Sequence, residues 1–214
     1  MKHLLKKLIE KFDKQSPHPL FYKFVMSKEE RTIFDKSISK SENYLEFGLG
    51  GSTLRALLKS NAKIYSVESS YEWISYMREY SIIRNNENKR LVISAVDIGP
   101  TQEWGIPRED NSRNLFPAYS ENVFNEMNKN ELDMALVDGR FRAACALKII
   151  LECHQNDKLQ LMIHDFWNRP EYHVVLKYLD TIDKADSLGL FCIKKNVDLE
   201  SAYKDYQAYK FIYD

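Results

Sequence analysis

Five short apolar runs, at 43–47, 63–67, 91–96, 132–137 and 160–164, recur along the chain with longer polar or amphipathic stretches between them. Strands spaced in this way need crossover connections, and crossovers build a mostly parallel sheet with helices on both faces. The intervening stretches read as helices at 52–60, 71–84 and 141–153, and Pro170 suits the first turn of another over 171–180. Ser27, followed three residues later by Glu30, is a capping-box pattern that opens a helix running to about Lys40. The stretch TIDKADSLGLFCIKK reads as two strands joined tightly around Asp186-Ser187, so an antiparallel pair closes the sheet. A short helix at 198–208 precedes the aromatic tail YKFIYD. Residues 1–40 are read as N-terminal helices packed on a domain of 41–214, all in one compact unit, since 214 residues with 44% apolar content suffice for one core.

Lys+Arg and Asp+Glu balance at 31 each, which argues against a nucleic-acid partner. Cys145, Cys153 and Cys192 lie in apolar stretches without a CxxC pair, as expected of buried thiols in a reducing compartment. No secretory signal and no run of about 20 apolar residues is visible, so a cytoplasmic protein without a transmembrane segment is expected. In MKHLLKKLIEKFDK, Leu5, Leu8, Ile9 and Phe12 share one helical face, with Lys2, Lys6, Lys7 and Lys14 mostly elsewhere. The expected use of that face is packing on the domain or on a second subunit, giving a homo-oligomer, with an acidic membrane surface as the alternative. Residues 98–120 hold three prolines, two glycines and no periodicity; they are read as a substrate lid, with Trp104 and Phe116 arguing against full solvation.

The turn after the first strand, NYLEFGLGGSTL, sits where open parallel sheets bind ligands, which places Gly48, Gly50 and Gly51 at a site. Thr53 stands where a dinucleotide fingerprint needs its third glycine, and the lysine of a P-loop is missing. Glu46, just before the glycines, is a poor neighbour for pyrophosphate and suits a ligand with an ammonium group, such as S-adenosylmethionine (SAM). Glu68, ending the second strand in SVESS, can accept both hydroxyls of a ribose.

With LEFGLGGST, SVESS, VDGRF after the fourth strand and IHDFW after the fifth, residues 40–195 resemble the class I SAM-dependent methyltransferase family. The resemblance implies a Rossmann-like, doubly wound, seven-stranded α/β sheet with an antiparallel last strand, and SAM as methyl donor. It also implies that Glu46, Gly48 and Gly50 hold the methionine part, Glu68 the ribose, and Asp97 with Ile98 the adenine edge. Gly51, Ser52, Ser69 and Asp138 belong to the same cofactor motifs. More narrowly, DIGPTQEWGIP, LVDGRFRAACALK and LMIHDFWNRPEY are similar to a bacterial branch akin to plant enzymes that O-methylate glucuronic acid in glycans. A sugar, glycan or other polyhydroxylated acceptor is the corresponding expectation. The rival readings are a nicotinamide- or nucleotide-sugar-binding oxidoreductase and a non-catalytic, partner-binding module.

An alcohol acceptor must lose a proton, and Asp138, His164 and Asp165 all end strands on the ligand side. His164 or Asp165 is the expected general base. Methyltransferases of the catechol type bind Mg²⁺ through an Asp after strand four and an Asp-Asn pair after strand five. Asp138 and Asp165 match, but Phe166 takes the Asn position, so a divalent metal would need water or His164 to complete its shell. Trp104, Arg140, Arg142, Trp167 and Arg169 are the expected acceptor contacts, the arginines as clamps for an acidic group.

Overall fold

The computed structural model describes residues 2–213, with side chains from Leu8 onward. Seven strands form one sheet in the order β3-β2-β1-β4-β5-β7-β6. The strands are β1 (Asn43–Phe47), β2 (Lys63–Glu68), β3 (Leu91–Ala95), β4 (Met134–Val137), β5 (Gln160–Ile163), β6 (Leu179–Ala185) and β7 (Leu188–Ile193). The first five pair in parallel and β7 runs antiparallel to both β5 and β6, as expected of a doubly wound sheet closed by a hairpin. The sequence order reverses beside β1, so the loops after β1 and β4 meet at the carboxyl edge.

Both faces of the sheet are covered. One core contains Leu45, Phe47 and Val137 with helix α7 (Arg142–Cys153) and α8 (Leu199–Tyr209). The other contains Tyr44, Ile64 and Met162 with α2 (Lys28–Ile38) and α3 (Gly51–Lys59). Cys145 and Cys153 are buried free thiols and Cys192 is partly exposed. No helix among the described residues is long and apolar enough to cross a membrane.

Several elements depart from the pattern read in the sequence. The single helix expected over 71–84 is two, α4 (Tyr71–Met77) and α5 (Ser81–Asn86), with Tyr80 in extended backbone between them. The break is held from within by Arg84, which donates to the carbonyls of Arg78 and Glu79, and from outside by Ser81 Oγ, which donates to those of Gln15 and Ser16. The helix over 171–180 is a 3₁₀ segment, Pro170–Lys177, and Leu179 already belongs to β6. β4 starts two residues late because Asp133 turns its carboxylate onto the Glu42 and Asn43 amides. The loop over 98–120 is built from short 3₁₀ turns and ends in α6 (Pro117–Glu121). It is anchored by buried Phe116, whereas Trp104 is 73% exposed.

Helix α1 (Lys2–Lys14) leads into a segment that crosses the glycine turn: a Cβ on Gly51 would lie 2.1 Å from the Lys23 carbonyl oxygen. Only glycine permits this backbone approach. Gly51→Ala should therefore lower the unfolding free energy by about 1–3 kcal/mol, whereas Gly50→Ala, whose Cβ meets open space, should change it by less than about 0.5 kcal/mol. Chemical denaturation of the two variants makes the comparison.

Candidate active site

The glycine turn rests on a buried carboxylate. Glu46 is fully enclosed; it accepts hydrogen bonds from Tyr44 Oη at 3.0 Å, Ser52 Oγ at 2.7 Å and Thr53 Oγ1. Burial pushes its pKa up to about 7, against the pull of these hydroxyl donors. Glu46 and Ser52 thus face each other beneath the turn, so Glu46 acts on the turn from below. Thr53 Oγ1 also accepts the Gly50 N–H at 2.9 Å, and Gly51 is covered by the Lys23 backbone. Gly48, at φ +111°, packs against Gly139 so closely that a Cβ would lie 3.0 Å from its Cα. The side of Gly50 where a Cβ would project is open.

At the end of β2, Glu68 Oε1 accepts the Ser69 and Ser70 amides at 2.7 and 2.8 Å. Burial raises its pKa, and those amides and nearby Arg140 oppose the rise. The Ser69 hydroxyl is buried and has no partner among the described residues. A Cβ on Gly105, in the loop after β3, would lie 3.3 Å from Ser69 Oγ and 3.9 Å from Glu68 Oε1, so this loop closes over the carboxylate. Trp104 sits beside it, with Lys23 Nζ 5.1 Å from the indole ring centroid. Asp97 is exposed and accepts its own loop's Gly99 amide at 2.8 Å, while Ile98 is buried. An orphan hydroxyl, a strand-end carboxylate and an open glycine along one edge suit a ribose-bearing cofactor such as SAM.

The expected acids and histidine do converge. His164, following β5, is 7% exposed; Nδ1 lies 2.9 Å from Asp138 Oδ1 and Nε2 lies 3.4 Å from Glu30 Oε2. Arg142, also buried, donates to the His164 carbonyl at 2.6 Å and to Asp165 Oδ2 at 3.1 Å, and its Nη2 lies 3.3 Å from Asp138 Oδ1. Asp165 is held at φ +54°, which aims its carboxylate back at the arginine. Although burial opposes it, the His164 pKa is raised by Asp138, Asp165 and Glu30. Burial also works against the charge on Glu30, yet its pKa is lowered by donors from Ser27 and Ser187 and by His164.

Asp138, His164 and Asp165 have the spacing of metal ligands. The Arg142 guanidinium, however, already stands against both carboxylates, so the cluster has its cation built in and does not fit a resident divalent ion. Arg142 is accordingly a buried brace rather than an acceptor contact. Trp167 is also structural, its indole N–H on the Leu188 carbonyl at 3.1 Å and its ring against Phe166 and Phe191. Arg169 reaches the rim, partly exposed, and donates to Tyr172 Oη at 3.0 Å. Three participants escaped the sequence reading. Glu30 showed only its local capping pattern, Lys23 lay in a stretch without a motif, and Tyr119, whose hydroxyl accepts the Arg140 N–H at 3.4 Å, was one aromatic among many.

No family model and no curated protein matches the sequence. Among solved structures, a methyltransferase-like protein from Silicibacter pomeroyi superposes with a TM-score of 0.70 and 25% identity, over 86% of this chain and 97% of that one. The chain has the Rossmann-like methyltransferase fold. A more distant match with the same fold is an SAH-bound methyltransferase from Podospora anserina, with a TM-score of 0.52 and 13% identity over 79% of this chain and 80% of that one.

The charge cluster carries a pH signature. The raised His164 pKa contributes stability in full below its ordinary value of 6.5, and this is lost as pH rises through the folded value. The lowered Glu30 pKa contributes above its ordinary 4.5, and this is lost as pH falls through the folded value. Both contributions are complete between those two ordinary values. Melting temperatures should therefore fall above pH 6.5 in the native protein and fall less in a His164→Gln variant.

Proposed function

We propose that this protein is a SAM-dependent O-methyltransferase acting on a sugar, glycan or other polyhydroxylated molecule. The observation that carries the cofactor assignment is the strand-end Glu68 next to the Ser69 hydroxyl, which has no partner among the described residues, with one side of Gly50 left open in the neighbouring turn. Glu68 and Ser69 would hold the ribose, Gly48 and Gly50 would border the amino-acid part, and Asp97 with Ile98 would border the adenine. Glu46 would act from beneath the turn by setting its shape and charge. SAM supplies an electrophilic methyl group on a sulfonium.

A nicotinamide dinucleotide fits less well. The Gly50 amide that would face its pyrophosphate is taken by Thr53, and the carboxylate of Glu46 lies directly below.

The chain's own chemistry is acceptor placement and proton removal. Trp104 offers an exposed aromatic face, and Arg140 and Arg169 offer cationic groups for an acidic substituent. His164 Nδ1 shares a hydrogen bond with Asp138 Oδ1 at 2.9 Å while Nε2 faces Glu30, so Asp138 joins the buried imidazole to the solvent side. A hydroxyl proton thus passes through Asp138 to His164 Nδ1, while Asp165 and Arg142 fix the pair. Orienting the acceptor oxygen for in-line attack supplies much of the rate gain, about 7–11 kcal/mol.

Calorimetric titration with S-adenosylhomocysteine, with NAD as control, tests the cofactor. Product binding without NAD binding is expected, and Glu68→Ala should weaken it by about 1.5–3 kcal/mol. Binding of neither ligand to folded protein would favour a non-catalytic module. For the base, kcat should rise with pH along a limb whose pKa lies above 6.5. His164→Gln should remove that limb and lower kcat by about 10²–10⁴-fold, leaving product affinity unchanged.

A further inference from the structure

The described part of the apolar face of α1 is largely open to solvent. Leu8 and Ile9 are each 47% exposed and Phe12 is 76% exposed. Asp13, at the end of the helix, accepts the Leu20 and Phe21 amides at 2.8–3.0 Å, which folds that segment back beside it. Leu20 and Phe21 are themselves 79% and 58% exposed. Exposed apolar side chains thus stand both on α1 and on the segment that follows it.

Its surroundings are basic. The α1 sequence holds five lysines against two acids, an excess of positive charge in a chain whose total is zero. Lys11 and Lys23 are exposed, and Phe21 lies with them along a cleft of about 900 Å³ between α1 and the α4–α5 region, where four cationic side chains outnumber the two acids, Glu10 and Glu79. Lys14 and Arg84 also line this cleft, Lys14 paired with Glu79 at 2.7 Å and lying over Tyr76. A second copy is a poor occupant, because a two-fold interface sets each face against itself and would bring two basic helices together. An anionic lipid surface satisfies both features at once, with the apolar side chains in the acyl boundary and the lysines among the headgroups.

We propose that α1 and residues 20–23 form a docking surface for an anionic lipid bilayer, on which the protein lies without crossing it. Because Lys23 also reaches Trp104, the docked surface is continuous with the loop that closes over Glu68.

Co-sedimentation of the full chain with phosphatidylcholine vesicles, with and without phosphatidylglycerol, tests this directly. Binding should be at least about tenfold stronger to the anionic vesicles and should weaken with added salt. A Phe12→Ser/Phe21→Ser double variant should lose about tenfold of that binding while keeping the native melting temperature and S-adenosylhomocysteine affinity. Equal binding to neutral vesicles, no binding to anionic ones, or an unchanged double variant would overturn the proposal. So would a vesicle-free dimer, seen by analytical ultracentrifugation, that the double variant dissolves, since a second copy would then be the occupant.

Discussion

A carboxylate removed from water must be given donors or lose its charge, and in this protein Glu30 meets that demand by joining three parts of the fold. One oxygen caps α2 through the Ser27 amide; the other receives the Ser187 amide and hydroxyl and the Leu188 amide at the β6–β7 turn. The capping oxygen also faces His164 at the end of β5. The hairpin that closes the sheet and the histidine of the site are therefore registered by the same side chain. Replacing it with an apolar group would strand four donors and leave His164 with charge compensation from only one side.

The architecture was legible because it is written in local pattern. Strand spacing, the Ser27–Glu30 box and the Asp186-Ser187 turn are each resolved within a few residues, and each has a physical cause that acts locally. What escaped was decided at long range. The break between α4 and α5 depends on carbonyls of Gln15 and Ser16, more than sixty residues away. The late start of β4 depends on an aspartate that serves β1. A window along the chain sees apolar residues at helical spacing in the first case and a mostly apolar run, broken only by Asp133, in the second.

In the site the division is similar. Strand-end position was enough to bring Asp138, His164 and Asp165 together, and Glu68 lies where a carboxylate at the end of β2 must lie. Position could not reveal saturation. Arg142 was legible as a cation near acids, but its burial, which turns it from a ligand contact into an internal counter-ion, depends on packing under α7. Likewise, Glu46 was legible as an acid in the turn, whereas the hydroxyls that enclose it come from β1 and α3.

That enclosure has a further effect. With a pKa near 7, Glu46 is divided between protonated and ionised forms at neutral pH. A positive charge arriving at the glycine turn favours the ionised form, while a neutral or negative ligand does not. Cation binding there is consequently coupled to release of a fraction of a proton. Its apparent enthalpy depends on the ionisation heat of the buffer, and its affinity increases as alkali completes the ionisation in advance. A ligand proposed to sit at the turn would thus be sensed by its charge sign through a group enclosed beneath it.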